Sequence, residues 1–202
     1  MRPKITVRTG AKRLGEPTLT AADWADAALQ LIAEKGVGGL KVDALAKRLG
    51  VTKGSFYWHF AGRAELLAAA LGRWERRTTT ETIKGLSAVG DPRLRLTLML
   101  DAASQAPRAH SLYAALAEAA LEPMVQQALK RVAAERIKYL ESCYRELGAP
   151  QQEAESKALF AYAAYRGLLQ LAREAPSVLP KDWSSYPATV RDALLPVRRR
   201  GK

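Results

Sequence analysis

The sequence predicts an all-α protein, with a small N-terminal three-helix unit followed by a larger helical body. Two observations predict this class. Apolar residues recur at helical spacing along most of the 202 residues, and no stretch sustains the period-two alternation of a half-exposed strand. Apolar residues make up 48% of the chain, which is ordinary for a globular protein with a sizeable core.

The N-terminal unit contains three apolar stripes at helical spacing. The first stripe consists of Trp24, Ala27, Ala28, Leu31 and Ile32. The second consists of Val42, Leu45, Ala46 and Leu49. The third consists of Leu67, Ala70, Leu71 and Trp74, on a helix that continues to about Lys84. Thr20 and Asp23 are spaced as a variant capping box before the first helix. Gly36 and Gly50 follow the first two helices and end them.

Proline and glycine divide the rest of the chain. Asp91 before Pro92 is a cap followed by proline at the first helical position. Gly148 ends a long helix that begins at Pro123. The helices that these signals predict run over about 92–105, 110–120, 123–147, 151–174 and 187–195.

The net charge of +12 is concentrated towards the N-terminus. Residues 1–80 carry 14 Lys/Arg and 7 Asp/Glu, and five basic residues precede the first acid, Glu16. In the second half, four of the positive charges lie in the last five residues. This distribution favours a polyanionic partner, nucleic acid first and an anionic membrane second. For the arm alone, a solvated segment that aids solubility explains the charge equally well.

The cysteine and histidine content excludes several classes. Cys143 is the only cysteine, so no intrachain disulfide is possible, and we expect a reducing, cytoplasmic setting. His59 and His110, with that thiol, cannot form a conventional zinc site, and we expect no metal or other cofactor. The basic start lacks the apolar stretch of a secretory signal, and no apolar run approaches the ~18 residues of a membrane helix.

The segment VTKGSFYWHF, residues 51–60, combines the features of a recognition helix. Two short helices separated by GVTKG have the spacing of a helix-turn-helix, with the tight turn at Gly50. We expect Thr52 to cap the third helix, and Phe56 and Phe60, four residues apart, to face the core. The residues left facing outward are Thr52, Lys53, Ser55, Tyr57 and His59, with Gly54 allowing close backbone approach. Hydroxyls, an ammonium, a phenol and an imidazole contact phosphates and base edges in DNA complexes.

The stretch KVDALAKRLGVTKGSFYWHFAGRAELLAAAL also resembles the DNA-binding domain of the tetracycline-repressor (TetR) family of bacterial regulators. The resemblance covers about residues 18–72, roughly a quarter of the chain. It implies a dimeric DNA-binding regulator, most often a repressor, that binds a pseudo-palindromic operator and responds to a small molecule. It divides the chain into a basic arm (1–17), a DNA-binding domain (18–72), an effector and dimerisation body (73–195) and a basic tail (196–202).

The resemblance also implies roles for single residues. Thr52, Lys53 and Ser55 would lie at the groove, and Tyr57 and His59 would touch base edges or phosphate. Arg63, where the family usually has lysine, would bind phosphate. Lys41 would meet backbone phosphate at the start of the second helix. Asp43 stands where some members read a base, and Ala61 and Gly62 replace residues that are usually more polar.

Plainer interpretations remain for several of these side chains. Trp58 is expected to be a half-buried packing ring rather than a DNA contact. His59 is also consistent with a solvent-facing helix residue. Lys47 and Arg48 are expected to form a solvated face, with phosphate contact as the alternative.

The second half is expected to hold an effector and to dimerise. Candidate pocket residues are Met99, Tyr113, Leu116, Met124, Tyr139, Cys143 and Phe160. Their spacing is equally that of ordinary core packing. Scattered single acids do not indicate a cation site, so an apolar or aromatic small molecule is favoured. Residues 151–174 are apolar most of the way round, which indicates burial on several sides. The predicted two-fold contact pairs this helix with the last one, through Tyr162, Tyr165 and Leu169.

Two other function classes compete with a specific regulator. An enzyme is not indicated, because His110 beside Ser111 is the only notable polar pair and has no third partner in sequence. A non-specific basic nucleic-acid-binding protein, relying on the arm and tail, is the main alternative; a membrane-surface protein would use the same charges.

Overall fold

The computed structural model describes residues 19–104, 111–182 and 184–196. The regular secondary structure of these residues is helical, with no β-strand among them, which confirms the predicted all-α class. The basic arm at 1–17, nearly all of the basic tail, and His110 lie outside the described residues. Within the described residues, no helix is long and apolar enough to cross a membrane.

Ten α-helices form the described chain. They are α1 (Ala21–Lys35), α2 (Val42–Leu49), α3 (Lys53–Tyr57), α4 (Arg63–Glu75), α5 (Glu81–Ser87), α6 (Pro92–Ala103), α7 (Ser111–Glu118), α8 (Pro123–Glu146), α9 (Gln151–Glu174) and α10 (Tyr186–Leu194). Short 3₁₀ turns cover Val37–Gly39 and Pro176–Val178, and a π-helical segment covers Arg76–Thr80. These bounds lie close to those that the caps and breakers predict.

Local capping chemistry sets the ends of the first two helices. The Asp23 backbone N–H donates to Thr20 Oγ1 at 3.3 Å, and the Thr20 backbone N–H donates to the Asp23 carboxylate at 2.7 Å, which confirms the capping box. These bonds from Thr20 hold the pKa of Asp23 below its usual range. Gly36 and Gly50 end α1 and α2 at φ of +70° and +69°, in the half of backbone space that glycine enters without steric cost.

The N-terminal head, defined here as α1 to α4, shares an apolar cluster with the body. Trp24, Leu45, Phe56 and Leu67 are fully buried in the cluster, which continues into α7 and α8. The predicted domain boundary between residues 72 and 73 falls inside α4. The head is therefore held against the body by a continuous core.

The body is built around the antiparallel pair α8 and α9. Leu140 of α8 and Ala158 of α9 are buried in a second apolar cluster, which also includes Leu96 of α6 and Leu194 of α10. The Tyr144 hydroxyl donates to the Leu194 carbonyl at 3.0 Å and anchors α10 on α8. Burial raises the pKa of that phenol to about 12, so the group stays a neutral donor.

Candidate nucleic-acid interface

Helix α3 is held from behind by aromatic rings. Phe56 and Phe60 are buried and stack with their centroids 5.6 Å apart, as their four-residue spacing predicts. Trp24 meets Phe56 edge-on, with the centroids 5.4 Å apart. Because this inner side of the five-residue helix is occupied, its remaining residues must face outward.

The outward side of α3 is open to solvent. Thr52, Lys53 and Gly54 are exposed, and Tyr57 is 57% exposed. Ser55 and His59 are half-buried at the edges of this surface. A Cβ at Gly54 would meet only Thr52 Oγ1, at 3.7 Å, so glycine is not required there by packing. We call the surface of residues 52–55, 57 and 59 the recognition face.

Two details of this segment differ from the sequence-based expectations. Thr52 is the N-cap residue of α3, but its side chain makes no capping hydrogen bond, so its hydroxyl is not committed to the helix. Trp58 is 88% exposed, so its prediction as a half-buried packing ring is wrong. The signal was present in the sequence, because a residue two positions after buried Phe56 lies on the opposite side of a helix.

Lys53 is paired with an acid within the head. Its ammonium lies 3.0 Å from the Asp43 carboxylate of α2, and both side chains are exposed. The hydrogen bond to Asp43 raises the pKa of Lys53, so this side chain stays charged. An exposed pair of this kind is worth little free energy and separates readily when a stronger anion approaches. Asp43 thus positions the Lys53 ammonium on the recognition face.

Arg63, at the first turn of α4, is tied into the head. Its guanidinium donates to the Leu40 carbonyl at 3.2 Å and to the Val37 carbonyl at 2.9 Å, and it lies 3.5 Å from the Glu122 carboxylate. These acceptors come from the turn before α2 and from the residue before α8. Lys41, at the N-cap of α2, is exposed.

Exposed basic residues also lie on α2. Lys47 is exposed, and Arg48, which is exposed as well, pairs with Glu34 of α1 at 2.5 Å. In the part of the chain that the structure describes, no group of three His, Cys, Asp or Glu side chains could hold a metal ion. The chemistry of this surface is therefore that of hydroxyls, amines and rings.

The body contains a cavity of about 400 Å³ between α6, α8, α9 and the segment joining α4 to α5. Its lining includes Arg77, Met99, Leu100, Arg136, Leu140 and Tyr162. This volume is within the range of small-molecule sites. Of the seven candidate pocket residues, Met99 lines this cavity.

The other six candidates lie elsewhere. Tyr113 packs near the cavity, with its hydroxyl 3.5 Å from that of Tyr162, but lines a separate surface pocket. Leu116 and Met124 pack in the cluster shared with the head, and Tyr139 and Cys143 pack in the cluster of the body. Phe160 is 63% exposed and lines a third pocket, against α10. The seven residues do not form one site. They were chosen by side-chain type, which does not reveal how the helices pack.

The predicted pairing residues of α9 face mostly inward. Tyr162 and Leu169 are only 8% and 6% exposed, and Tyr165 is half-buried beside the cavity. Because Tyr162 and Leu169 are buried within the chain itself, they offer little surface to a partner. The exposed residues of α9 are instead Leu159, Phe160, Ala163, Ala164, Gly167 and Leu171, together with polar residues near its ends.

The fold and the recognition face define the class of protein. Three helices with a tight turn, a third helix packed from behind, and hydroxyl, amine and ring side chains facing out together form a helix-turn-helix head. A larger helical body with a cavity of about 400 Å³ follows that head.

Comparison with known proteins gives the family. Residues 25–70 match the model of the family described as bacterial regulatory proteins, tetR family. The regulator SrpR of Pseudomonas putida is 46% identical over 46 residues, 23% of this chain and 22% of SrpR. The repressor KstR of Mycolicibacterium smegmatis is 31% identical over 87 residues, 43% of each chain. Residues 25–70 are therefore similar to the DNA-binding domain of the TetR family, and the matches span less than half the length of these relatives.

Solved structures share the fold over most of the chain. A transcriptional regulator from Rhodococcus sp. Rha1 has a TM-score of 0.70 at 24% identity and covers 89% of this chain and 100% of its own. A regulator from Saccharomonospora viridis in complex with choline gives 0.67 at 19% identity, covering 85% and 93%. FadR from Bacillus subtilis in complex with stearoyl-CoA gives 0.63 at 16% identity, covering 85% and 95%. At these identities the likeness shows a shared fold, which covers the body as well as the head.

Proposed function

We propose that this protein is a transcriptional regulator, a repressor, that binds a pseudo-palindromic DNA operator as a homodimer. The observation that carries the proposal is the recognition face, which is open to solvent on a helix whose opposite side fills the core. A short helix presented in this way fits the major groove. The family and the repressor name of KstR support the regulatory role.

In this proposal the recognition face supplies the DNA contacts residue by residue. Lys53 exchanges its ion pair with Asp43 for a contact with a base edge or a phosphate. Thr52 and Ser55 donate hydrogen bonds from their hydroxyls to the DNA backbone. Tyr57 and His59 contact base edges or phosphate at the rim of the groove. Gly54 lets the backbone approach, and Trp58 adds an exposed ring beside them. Base contacts from these few residues would set the sequence preference.

Basic residues outside α3 would fix the position of the head on the duplex. Lys41 lies exposed before α2, where phosphate also meets the free N–H groups of that helix. Arg63 contributes by holding the turn before α2 in place, and phosphate contact requires it to release its internal acceptors. Both residues would contribute equally to the affinity for every DNA sequence, since phosphate carries no sequence information.

The geometry of an operator and the exposed side of α9 support a homodimer. One short helix reads a short site, whereas two copies related by a two-fold axis read half-sites about 34–36 Å apart. The exposed apolar side of α9 offers the surface for a second copy: Phe160, Ala163, Gly167 and Leu171 recur every three or four residues. The small residues at its centre allow close helix approach, and α10 beside it would complete a four-helix contact.

Regulation would come from a small molecule bound in the body cavity. A ligand that fits only one arrangement of the two heads shifts the population towards that arrangement. Coupling free energies of about 1–3 kcal/mol are typical and suffice to release an operator. The Saccharomonospora and Bacillus regulators solved with choline and stearoyl-CoA support a ligand-responsive body.

Selection of bound sequences from a random duplex pool tests the DNA-binding proposal. The regulator should enrich one site with two-fold symmetry and prefer it over random duplex as salt rises. Lys53→Ala should change which sequence is enriched, whereas Lys130→Ala, on the exposed side of α8, should not. Equal affinity for all duplexes, collapsing as salt rises, would instead identify a non-specific basic binder.

Sedimentation of the free protein tests the dimer separately. The full chain should sediment as a dimer, and Ala163→Glu at the centre of the exposed α9 side should produce monomers. Ala134→Glu, on an exposed side of α8, is the matched control and should remain dimeric. A dimer that Ala163→Glu leaves intact would move the contact to another surface.

A further inference from the structure

The guanidinium of Arg136 lines the body cavity and has no carboxylate partner among the described residues. Arg136 of α8 lines the cavity, and its Nε donates to Thr79 Oγ1 at 3.0 Å. One terminal nitrogen donates to the Thr78 carbonyl at 2.9 Å. Among the described residues, no carboxylate pairs with this guanidinium, whereas the neighbouring Arg131 of α8 pairs with Glu75 at 2.8 Å. Arg136 is thus held in place by neutral groups.

A second arginine adds positive charge at the same wall. Arg77 lines the cavity and shares the carboxylate of Asp26 with Arg73. Two guanidinium groups therefore share one negative charge, and their hydrogen bonds hold the pKa of Asp26 below its usual range. The wall formed by Arg77 and Arg136 has an excess of positive charge.

Much of the remaining lining is apolar. Met99 and Leu100 of α6, Leu140 of α8 and Ala161 of α9 line the same cavity as the arginines. Arginine presents a planar fork of N–H donors that matches a carboxylate, and a cation beside apolar walls gains most from an anion that arrives with an apolar tail. Such a ligand supplies the missing charge and fills the apolar volume together.

We propose that this cavity binds an amphipathic organic anion, with its acidic group on Arg136 and its apolar tail between α6 and α9. The proposal rests on the proposed function in taking this cavity as the effector site. The sequence predicts an apolar or aromatic effector, and the present proposal adds that this effector carries a negative charge. Choline, a cation, would be disfavoured here.

The same arginine connects the ligand to the DNA-binding head. Thr78 and Thr79 lie in the π-helical segment Arg76–Thr80, which continues directly from α4. Arg136 holds that segment through both residues, so an anion on Arg136 competes for its donors. Segments of π-helix are rare in proteins, and those that occur are often found at functional sites. Occupancy of the cavity therefore acts on the junction through which α4 joins the head to the body.

Two fluorescent probes that differ in one charge test the proposal. 1-Anilinonaphthalene-8-sulfonate is an aromatic anion, and N-phenyl-1-naphthylamine has the same skeleton without the sulfonate. Titration of the full chain with each gives a ratio of the two dissociation constants. Arg136→Met should weaken binding of the anionic probe at least tenfold more than binding of the neutral probe. Lys130→Met removes one charge from the exposed side of the same helix and should change the ratio less than twofold.

The controls separate the cavity from other surfaces. Met99→Trp should narrow the cavity and weaken both probes together, and decanoate should displace the anionic probe at least tenfold better than decanol. If circular dichroism shows that Arg136→Met is unfolded, Arg136→Lys replaces it, and losing the fork should still weaken the anion more than the neutral probe.

Three results would overturn the proposal: an unchanged ratio in the folded Arg136 variant, equal displacement by decanoate and decanol, or no binding of either probe. No DNA is present in this assay, so a failed operator selection would refute the regulator while leaving anion binding intact. Anion binding can fail in the same way without affecting the operator.

Discussion

Two adjacent residues of α3, Phe56 and Tyr57, should have opposite roles. Phe56 is fully buried, edge-on to Trp24 and stacked on Phe60, so Phe56→Ala removes a core ring. A buried Phe→Ala change costs about 3–5 kcal/mol, a large part of the stability of a typical domain. Tyr57 is 57% exposed and contacts Phe56 edge-on at 5.2 Å, so Tyr57→Ala should cost only about 1 kcal/mol.

The two effects are measured on the same variants. Urea unfolding followed by circular dichroism should show a large loss for Phe56→Ala and a small one for Tyr57→Ala. Affinity for the selected operator should fall by about 1–3 kcal/mol in folded Tyr57→Ala, roughly fivefold to 150-fold. Phe56→Leu, a milder core change, should retain operator affinity while folded. Comparable destabilisation by both alanine variants, or unchanged operator affinity in Tyr57→Ala, would refute this division of roles.

Three further predictions concern the head and its support. Hydrogen bonds from Arg73 lower the pKa of Asp26 in the folded protein. The ionised carboxylate therefore stabilises the fold above about pH 4, the pKa of an unfolded Asp, and this stabilisation is lost as the pH falls through the lower pKa of the folded state. Urea midpoints of Asp26→Asn should therefore lie below wild type at pH 7 and converge with it at acid pH; a constant difference would contradict this. Arg63→Ala should lower stability by about 1 kcal/mol in urea unfolding, because the Leu40 carbonyl loses its side-chain donor and the Val37 carbonyl keeps only the Leu40 N–H; a purely phosphate-binding Arg63 would leave stability unchanged. Gly50→Ala should cost about 1–2 kcal/mol in the same assay from backbone strain alone, since its Cβ would meet nothing within 4 Å, and a neutral result would refute the left-handed turn.

Local chemistry made the helices of the chain predictable. Thr20 with Asp23 and Asp91 before Pro92 start helices through side-chain bonds and a fixed backbone angle, which depend only on neighbouring residues. The inward direction of Phe56 and Phe60 followed from their spacing for the same reason. The π-helical segment was not predictable, because its Thr78 and Thr79 are held by Arg136, 57 residues away from Thr79.

The cavity and the partner surface needed the packing of distant helices. The apolar residues of α9 surround much of the helix, so the sequence indicates burial without telling which side faces the chain itself. Tyr162 turns into the body, whereas Phe160 lies exposed. The same limit applies to the seven candidate pocket residues, of which Met99 alone shares a cavity with Arg136. Helical spacing determines which residues share one side of a helix. The way in which α6, α8 and α9 cross determines which of these sides contact each other.

Cleavage of operator DNA from an iron–EDTA reagent tethered at residue 55 tests most directly whether the recognition face enters the major groove. The natural thiol will not interfere, because Cys143 is buried and desolvation raises its pKa. Ser55→Cys should cut at two centres about one helical turn, ~34–36 Å, apart, and Lys130→Cys on the body should not cut. Bound protein that leaves the DNA uncut from residue 55, or that cuts equally from residue 130, would contradict the account.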